Sequence, residues 1–468
     1  MSDTIAPHTM AGPALAGLGP PPEKNPSLRE QFSGSGNPFE RVPRVVFEQP
    51  IFQMKSLFGR TTMVHDPEGV RRVLLDNVAN YPKQELSNRI FTAMFGEGLL
   101  SAEPEMWRRH RKIMAPAFAP GVVASYAPAM AAQSQAFADR WAGLNAAEVD
   151  MAEEMKQLTL AIICETMFSS DATELVALAG TALGFTRDAL NFGILDIMPI
   201  IGPIRMEAKR KALHEDFSAM DGAIYRMIGE REKNLADAPN DLLTRLVAAK
   251  DPEDGAGLSA KEIRDEVITI FEAGHETTAV AMTFTWYLLS QHPQAEAKLH
   301  AELDAVLGGR APTFEDLARL PYTRQVIEES MRLYPPAPAV TGRTALADDE
   351  ICGTKVKAGD RVMISTWVLH RHRTLWDEPA RFDPDRFSPE RSEGRPRFAY
   401  MPFGAGPRIC IGLGLAMQEV VLILAALAQR FRPRLQTPQD VKISARITIA
   451  PEGGLKMRLE PRAPAKAA

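Results

Sequence analysis

The sequence predicts a mainly α fold with a small β subdomain. Three observations carry that expectation. Helix punctuation dominates from about Asp66 to Tyr334, short β-branched runs broken by Gly and charged pairs fill residues 338–372, and a strongly apolar helix ends near Gln429. No fixed-period repeat interrupts this order. The pattern is that of one large helical domain with minor sheet, not of separable modules.

Residues 1–35 are rich in Pro, Gly and Ser and read as a flexible N-terminal arm, with residues 36–468 as a single domain. The clearest element begins at LSAKE. Ser259 and Glu262 have the S-x-x-E spacing of a capping box, in which two orphan backbone donors are satisfied reciprocally. The helix that follows runs to Gln291, because His292-Pro293 disfavours a further turn. From Ala279 to Leu289 it is apolar on every side, so it should cross the interior. Helices over Gln294–Leu307 and Tyr322–Leu333 come next, the second stopped by Tyr334-Pro335-Pro336. EICGTKV and DRVMIST read as strands. A Pro- and Arg-rich loop then spans Arg371 to Pro402, before a glycine-rich loop and the last helix.

Composition narrows the function. The chain has 468 residues, 45% of them hydrophobic, which is ample for a core. A net charge of −5 supplies no basic field for nucleic acid and no polybasic membrane patch. Cys164, Cys352 and Cys410 are too few for a disulfide framework and too scattered for a zinc cluster, so reduced thiols are expected. The N-terminus lacks a basic start followed by an apolar stretch. Apolar runs such as VVLILAALA fall short of the roughly 18–20 residues that span a bilayer. These features predict a cytoplasmic protein without a membrane anchor.

The stretch FGAGPRICIG, Phe403 to Gly412, concentrates backbone freedom around one thiol. Gly404, Gly406, Gly412 and Gly414 permit sharp turns and a close approach to something flat or bulky. Arg408 and the N-terminus of the following helix both favour a thiolate. Such a thiolate can be a nucleophile or a single axial metal ligand. A dinucleotide loop fits poorly, because Met417 stands where G-x-G-x-x-G needs glycine. A nucleophile would need a histidine brought near by folding, and the chain has nine.

Phe403, Gly406, Arg408, Cys410 and Gly412 reproduce the pattern F-x-x-G-x-R-x-C-x-G. In this the chain resembles the cytochrome P-450 superfamily, over roughly residues 40–460. The resemblance implies the triangular haem-thiolate fold, haem b as cofactor and Cys410 as axial ligand of its iron, with Phe403 and Gly404 against the ring. Thiolate ligation in this family favours O–O cleavage.

Further motifs support the likeness. In AGHETT, Gly274 costs about 1 kcal/mol relative to Ala inside a helix. Thr277 can simply bond back to the Ala273 carbonyl, and Glu276 can lie on a solvated face. A zinc-protease site is excluded, since position 279 is Ala rather than the second histidine of H-E-x-x-H. The cluster resembles the family's (A/G)-G-x-(D/E)-T motif. That likeness implies a groove for O2 at Ala273 and Gly274, a hydrogen bond to O2 from Thr277 and proton relay through Glu276. In EESMRLYPP, Glu329 and Arg332 are three apart, which alone describes an ordinary surface pair. They resemble the family's E-x-x-R motif, which implies a buried structural triad completed by Arg386 of FDPDRF. Asp385 replaces the more usual Glu beside it. In MWRRHR, Trp107 and Arg111 resemble W-x-x-x-R, which implies contacts to the haem propionates, joined by Arg343 and Arg408. His370 and His372 look like a metal pair, but most such loop histidines are not ligands.

The implied activity is a monooxygenase that hydroxylates or epoxidises a hydrophobic small molecule with O2. Only 58 residues follow Cys410, too few for a fused reductase. Electrons are therefore expected from a ferredoxin or flavodoxin with its reductase, docking near Arg108, Arg109 and Lys112 on a monomer. A peroxide-driven oxygenase and a haem-thiolate isomerase or dehydratase are disfavoured by the Glu276-Thr277 pair. A non-catalytic haem sensor is the alternative outside enzymes. By resemblance, Asn88–Leu100, Leu183–Ile204, Ile268–His275, Ala337–Thr341 and the stretch near Gly453 line the substrate pocket. Their apolar content suggests a fatty acid, terpenoid or aromatic, though any core segment looks similar.

Overall fold

A computed structural model of the protein describes residues 15–18, 38–56, 59–169, 201–436, 439, 441–445 and 447–462. The longer helices are α1 (Glu85–Phe95), α2 (Pro104–Met114), α3 (Ala127–Gly143), α4 (Met151–Phe168), α5 (Ile201–Lys233), α6 (Ala260–Gln291), α7 (Pro293–Leu307), α8 (Pro321–Leu333) and α9 (Leu413–Ala428). The capping box starts α6 as the spacing predicts. Ser259 Oγ accepts from the Glu262 N–H at 3.3 Å, while Glu262 Oε2 accepts from the Ser259 N–H at 2.7 Å. Preproline His292 ends the helix by leaving the helical region (φ −127°, ψ 73°), and α7 begins on Pro293, whose missing N–H is no loss at a first helical position.

Helix α6 crosses the interior, with Ala279–Leu289 buried on all sides and its flank laid along α4. Trp141 of α3 packs edge-on to Phe431 at 5.4 Å and tilted against Trp286 of α6 at 6.4 Å. A Trp→Ala change in such a cluster costs about 3–5 kcal/mol. Helix α9 packs on α3, α6 and α8 and is buried from Val420 to Ala428, so the residues after the cysteine loop anchor it in the core.

The β region is larger than expected. β1 (Ile51–Ser56) and β2 (Gly59–Val64) precede the helices, and β3 (Glu148–Asp150) sits before α4. β4 (Arg343–Thr344), β5 (Asp349–Ile351), β6 (Thr354–Val356) and β7 (Arg361–Met363) follow α8. The main sheet has the order β1-β2-β7-β4, with β2 parallel to β7 in the register Thr62↔Val362 and the other pairs antiparallel. EICGTKV forms the hairpin β5–β6, and DRVMIST supplies β7. At the C-terminal end β11 (Lys456–Pro461) pairs with both β3 and β8 (Phe431–Leu435), and β9 (Ile443–Ala445) pairs with β10 (Ile449–Pro451). The expected loop from Arg371 to Pro402 carries short helical turns at Pro384–Phe387, Pro389–Ser392 and Arg397–Ala399.

Of residues 1–35 the structure describes Leu15–Leu18, and these are docked. Leu15 is buried, the Ala16 N–H donates to Tyr287 Oη at 2.9 Å, and Tyr334 Oη donates to the Ala16 carbonyl at 2.8 Å. Residues 183–200 of the expected pocket lie outside the described residues. Among the described residues no single helix is long and apolar enough to cross a membrane.

Candidate functional site

The cysteine loop folds back on itself. The Cys410 N–H donates to the Phe403 carbonyl at 3.0 Å, and Gly404 and Gly406 both take φ of 71°. At Gly406 the requirement is steric as well, since a Cβ there would collide with the Leu74 carbonyl. Protein encloses Cys410, yet the thiol carries free surface, so its open side borders an internal cleft. Burial pushes the thiol pKa up, opposed by the Gly412 N–H and the Arg111 charge. Arg111 reaches the same loop directly, with Nη1 donating to the Ile409 carbonyl at 2.8 Å.

Helix α6 shows the matching opening. Its residues are buried from Asp265 to Glu272 and again from Thr278 to Leu289. Between them Ala273 is exposed, and Gly274, Glu276 and Thr277 are half-open. A Cβ on Gly274 would lie 3.2 Å from Ile163 of α4, and Thr159 of α4 donates to the His275 carbonyl at 2.9 Å. Thr277 Oγ1 donates to the Ala273 carbonyl at 2.7 Å, the plain alternative weighed from sequence. Glu276 Oε1 accepts from Thr448 Oγ1 at 3.0 Å, which fixes the acid to the turn before β10.

Cations outnumber anions beside the cleft. Arg343 is buried with Nε unpartnered. Arg408 stacks 4.7 Å over the Trp107 ring and donates Nη2 to the Ala102 carbonyl at 3.0 Å, while its buried Nη1 finds no partner. Lys83, bridged to Arg343 along the backbone, bonds the Leu100 carbonyl. Burial and the neighbouring Arg408 and Arg343 charges push Lys83 down to about 7. Burial and Arg408 bring Arg343 to about 10. Among the described residues Glu103 is the acid that opposes this repulsion, acting on Lys83 and Arg408. Buried unpaired cations are costly, and a ligand bearing carboxylates would relieve them. One thiolate for iron and a cationic cradle for two propionates suit haem b. Lys83 was missed from sequence, because it lies in no motif and meets Arg343 only through the fold.

Glu329 and Arg332 are fully buried, and Arg386 Nε lies 3.5 Å from Glu329 Oε1. Arg332 also donates to the carbonyls of His370 at 2.9 Å and Pro379 at 2.8 Å, tying α8 to the loop that leads to Cys410. His110 was missed as well. It is buried, with Nδ1 2.7 Å from Glu266 and Nε2 3.1 Å from Glu262, and so joins α2 to α6.

The expected basic face on α2 needs correction. Arg109 pairs with Glu262 at 2.6 Å, and Lys112 pairs with Asp251 at 2.9 Å and Glu253 at 2.7 Å. Internal acids neutralise two of the three charges, leaving Arg108 exposed. His370 and His372 are buried, and no metal-binding group of His, Cys, Asp or Glu occurs among the described residues.

The family model described as Cytochrome P450 matches residues 20–456. Cyclooctatin synthase of Streptomyces melanosporofaciens is 36% identical over 397 residues, covering 85% of each chain. Cyclooctat-9-en-7-ol 5-monooxygenase of the same organism is 34% identical over 86% of each chain, and pentalenene oxygenase of Streptomyces avermitilis is 33% identical over 79% of this chain and 81% of its own. The crystal structure of the cytochrome P450DA heme domain superposes with a TM-score of 0.78 at 28% identity, covering 89% of this chain and 90% of that one. A second cytochrome P450 crystal structure reaches 0.81 at 27% identity, over 94% and 98%. With a match of this extent around an enclosed thiol, the protein belongs to the cytochrome P450 family of haem b monooxygenases.

Proposed function

We propose that the protein inserts one oxygen atom from O2 into a cyclic, terpenoid-like hydrocarbon skeleton, using electrons from a separate ferredoxin or flavodoxin and its reductase. The observation that carries the site is the enclosed free thiol of Cys410 in a loop tied by Phe403 and Arg111. Cys410 would supply the thiolate to the haem iron, Phe403 and Gly404 would lie against the ring, and Arg343, Arg408, Lys83, Trp107 and Arg111 would hold the propionates. The triad of Glu329, Arg332 and Arg386 fixes the supporting loop. When bound, the haem supplies O2 reduction and the oxidising equivalent.

The chain's own part is to bind, orient and deliver protons. Ala273 is open beside α6, while Ile163 packs against Gly274 and Thr159 holds the His275 carbonyl from behind. Glu276 is anchored at one oxygen by Thr448, so its other oxygen is the one placed to pass a proton. The Thr277 hydroxyl can leave the Ala273 carbonyl by rotating χ1 and carry that proton into the cleft. The terpenoid reading is supported by the names of relatives given for cyclooctat-9-en-7-ol and pentalenene oxygenation. Three free cysteines suit a reducing cytoplasm, and residues 36–468 are taken as one catalytic domain acting as a monomer.

The deciding experiment is the absorption spectrum of the dithionite-reduced, CO-bound protein beside Cys410→Ser, followed by turnover with NAD(P)H and redox partners. A strongly red-shifted Soret band lost in the variant, with product formed from O2, is expected. Turnover with peroxide alone would favour the peroxide-driven alternative. A thiolate-type spectrum without any oxygen chemistry would favour a sensor.

A further inference from the structure

Helix α6 buries a carboxyl near Glu276 that the reading above does not use. Glu272 stands one residue before Ala273 and four before Glu276. It is 7% exposed, and its Oε1 is sealed from solvent without a hydrogen-bond partner. No cation pairs with it among the described residues. Burial and the nearby Glu276 charge push its pKa up to about 8, so at neutral pH it is mostly a carboxylic acid with an O–H to donate.

Its position is defined from both sides. Residues four and seven apart share a helix face, so Asp265, Thr269, Glu272 and Glu276 form one stripe. The loop after α1 covers the N-terminal end. The Glu97 N–H donates to Asp265 Oδ2 at 3.0 Å, and a side chain on Gly98 would collide with Thr269 Oγ1. Thr448 closes the other end on Glu276. Glu272 lies between these two clamps, beside the open Ala273. Its helix neighbours Ile268 and Phe271 are buried, with Phe168 of α4 tilted against Phe271 at 6.4 Å. Glu272 is thus flanked by buried apolar side chains, with Glu276 as the nearby charge.

We propose that Glu272 is the polar anchor of the substrate pocket, donating a hydrogen bond to an oxygen carried by an otherwise apolar substrate. This deepens the proposed function and rests on it. The substrate is then a hydrocarbon skeleton that already bears one hydroxyl or carbonyl group, and an earlier oxygenating or hydrating reaction must have installed it. A place in the proton relay fits less well, because Glu276 is held by Thr448 and no hydrogen bond joins it to Glu272. A site built around an unsatisfied donor discriminates against analogues that lack the matching oxygen.

The test uses the haem-loaded protein and matched ligand pairs, adamantane with adamantanol and bornane with borneol, titrated by the change in haem spin state. Hydrophobic transfer alone favours each hydrocarbon. The anchor predicts the reverse, with wild type binding each alcohol about tenfold more tightly. Glu272→Gln keeps a donor and should keep the preference. Glu272→Leu should lose it and bind the hydrocarbons at least as well as wild type. Haem content and the reduced-CO spectrum are measured first for each variant, and the wild-type pairs decide the matter even if a variant fails to fold. Equal binding of alcohol and hydrocarbon by wild type, or an alcohol preference that survives in Glu272→Leu, would overturn the anchor alone. Binding of neither series by protein with a normal spectrum would overturn the apolar-pocket reading and the anchor with it.

Discussion

Arg332 grips both oxygens of Glu329, Nε to Oε2 at 2.6 Å and Nη2 to Oε1 at 2.8 Å, with neither side chain reaching solvent. The same carboxylate accepts the Asp383 N–H at 2.9 Å, so one buried acid organises the backbone on the way to Cys410. Removing it leaves a buried guanidinium uncompensated, at a cost of about 3–5 kcal/mol. Glu329→Ala is therefore expected to yield protein with little or no haem and a lowered melting temperature. A normal haem-to-protein ratio in that variant would show that the network does not support the cysteine loop.

Lys83 should affect the apo and haem-bound proteins in opposite directions. Without an anion it is buried among like charges, and burial together with Arg408 and Arg343 pushes its pKa down to about 7. Lys83→Met removes that repulsion, so the apo protein should gain stability. With haem bound, the variant forfeits a charge-assisted hydrogen bond worth about 2 kcal/mol. Denaturation of both forms, with haem transfer to an acceptor protein, measures the two signs. A variant that loses stability equally in both forms would remove Lys83 from the propionate edge.

The His110 cluster predicts a pH profile. Burial works against the His110 charge, but Glu266 and Glu262 outweigh it and raise its pKa. Its stabilisation is therefore fully present below its unfolded value of about 6.5 and is lost as pH rises through the raised folded value. Glu262 behaves oppositely. Burial opposes its charge, but the Ser259 N–H, His110 and Arg109 bring it down to about 2, so its stabilisation fades as pH falls from about 4.5 toward 2. Burial raises Glu266 despite His110, which adds a cost as it ionises. In His110→Gln the decline above pH 6.5 should flatten, and stability near pH 6 should fall by about 1–2 kcal/mol. Melting curves of the haem-loaded protein between pH 5 and 9 test this, and parallel profiles would exclude His110 as the titrating group.

What the sequence displays depends on how far apart the partners lie. The Ser259–Glu262 cap, the cysteine loop and the Glu329–Arg332 pair each join residues within ten positions, so spacing alone exposes them. Arg386 needed the family likeness, since it lies 57 positions beyond Glu329. Lys83 lies outside every motif, and His110 falls at an unspecified position within MWRRHR; their partners are brought in from 260 and 156 positions away. β1 and β2 escaped notice for a related reason. IFQMKS and GRTTMV alternate only weakly, and β2 finds its parallel partner β7 some 300 residues later. The apparent basic face on α2 misled because its neutralising acids, Asp251, Glu253 and Glu262, belong to a distant part of the chain.

Thr277 separates a structural from a catalytic hydroxyl. Its bond to the Ala273 carbonyl at 2.7 Å is made within one helix at a half-open position, so its loss should shift the melting temperature by no more than a degree or two. A hydroxyl that only back-bonds would leave turnover untouched as well. If it carries the proton from Glu276, Thr277→Ala will still consume O2 but release more peroxide per molecule of product. The ratio of peroxide to product at matched O2 uptake is the decisive reading, with Thr277→Ser expected to restore most of the coupling. Tight coupling in Thr277→Ala would reduce Thr277 to a helix side chain and leave Glu276, held by Thr448, to deliver protons without it.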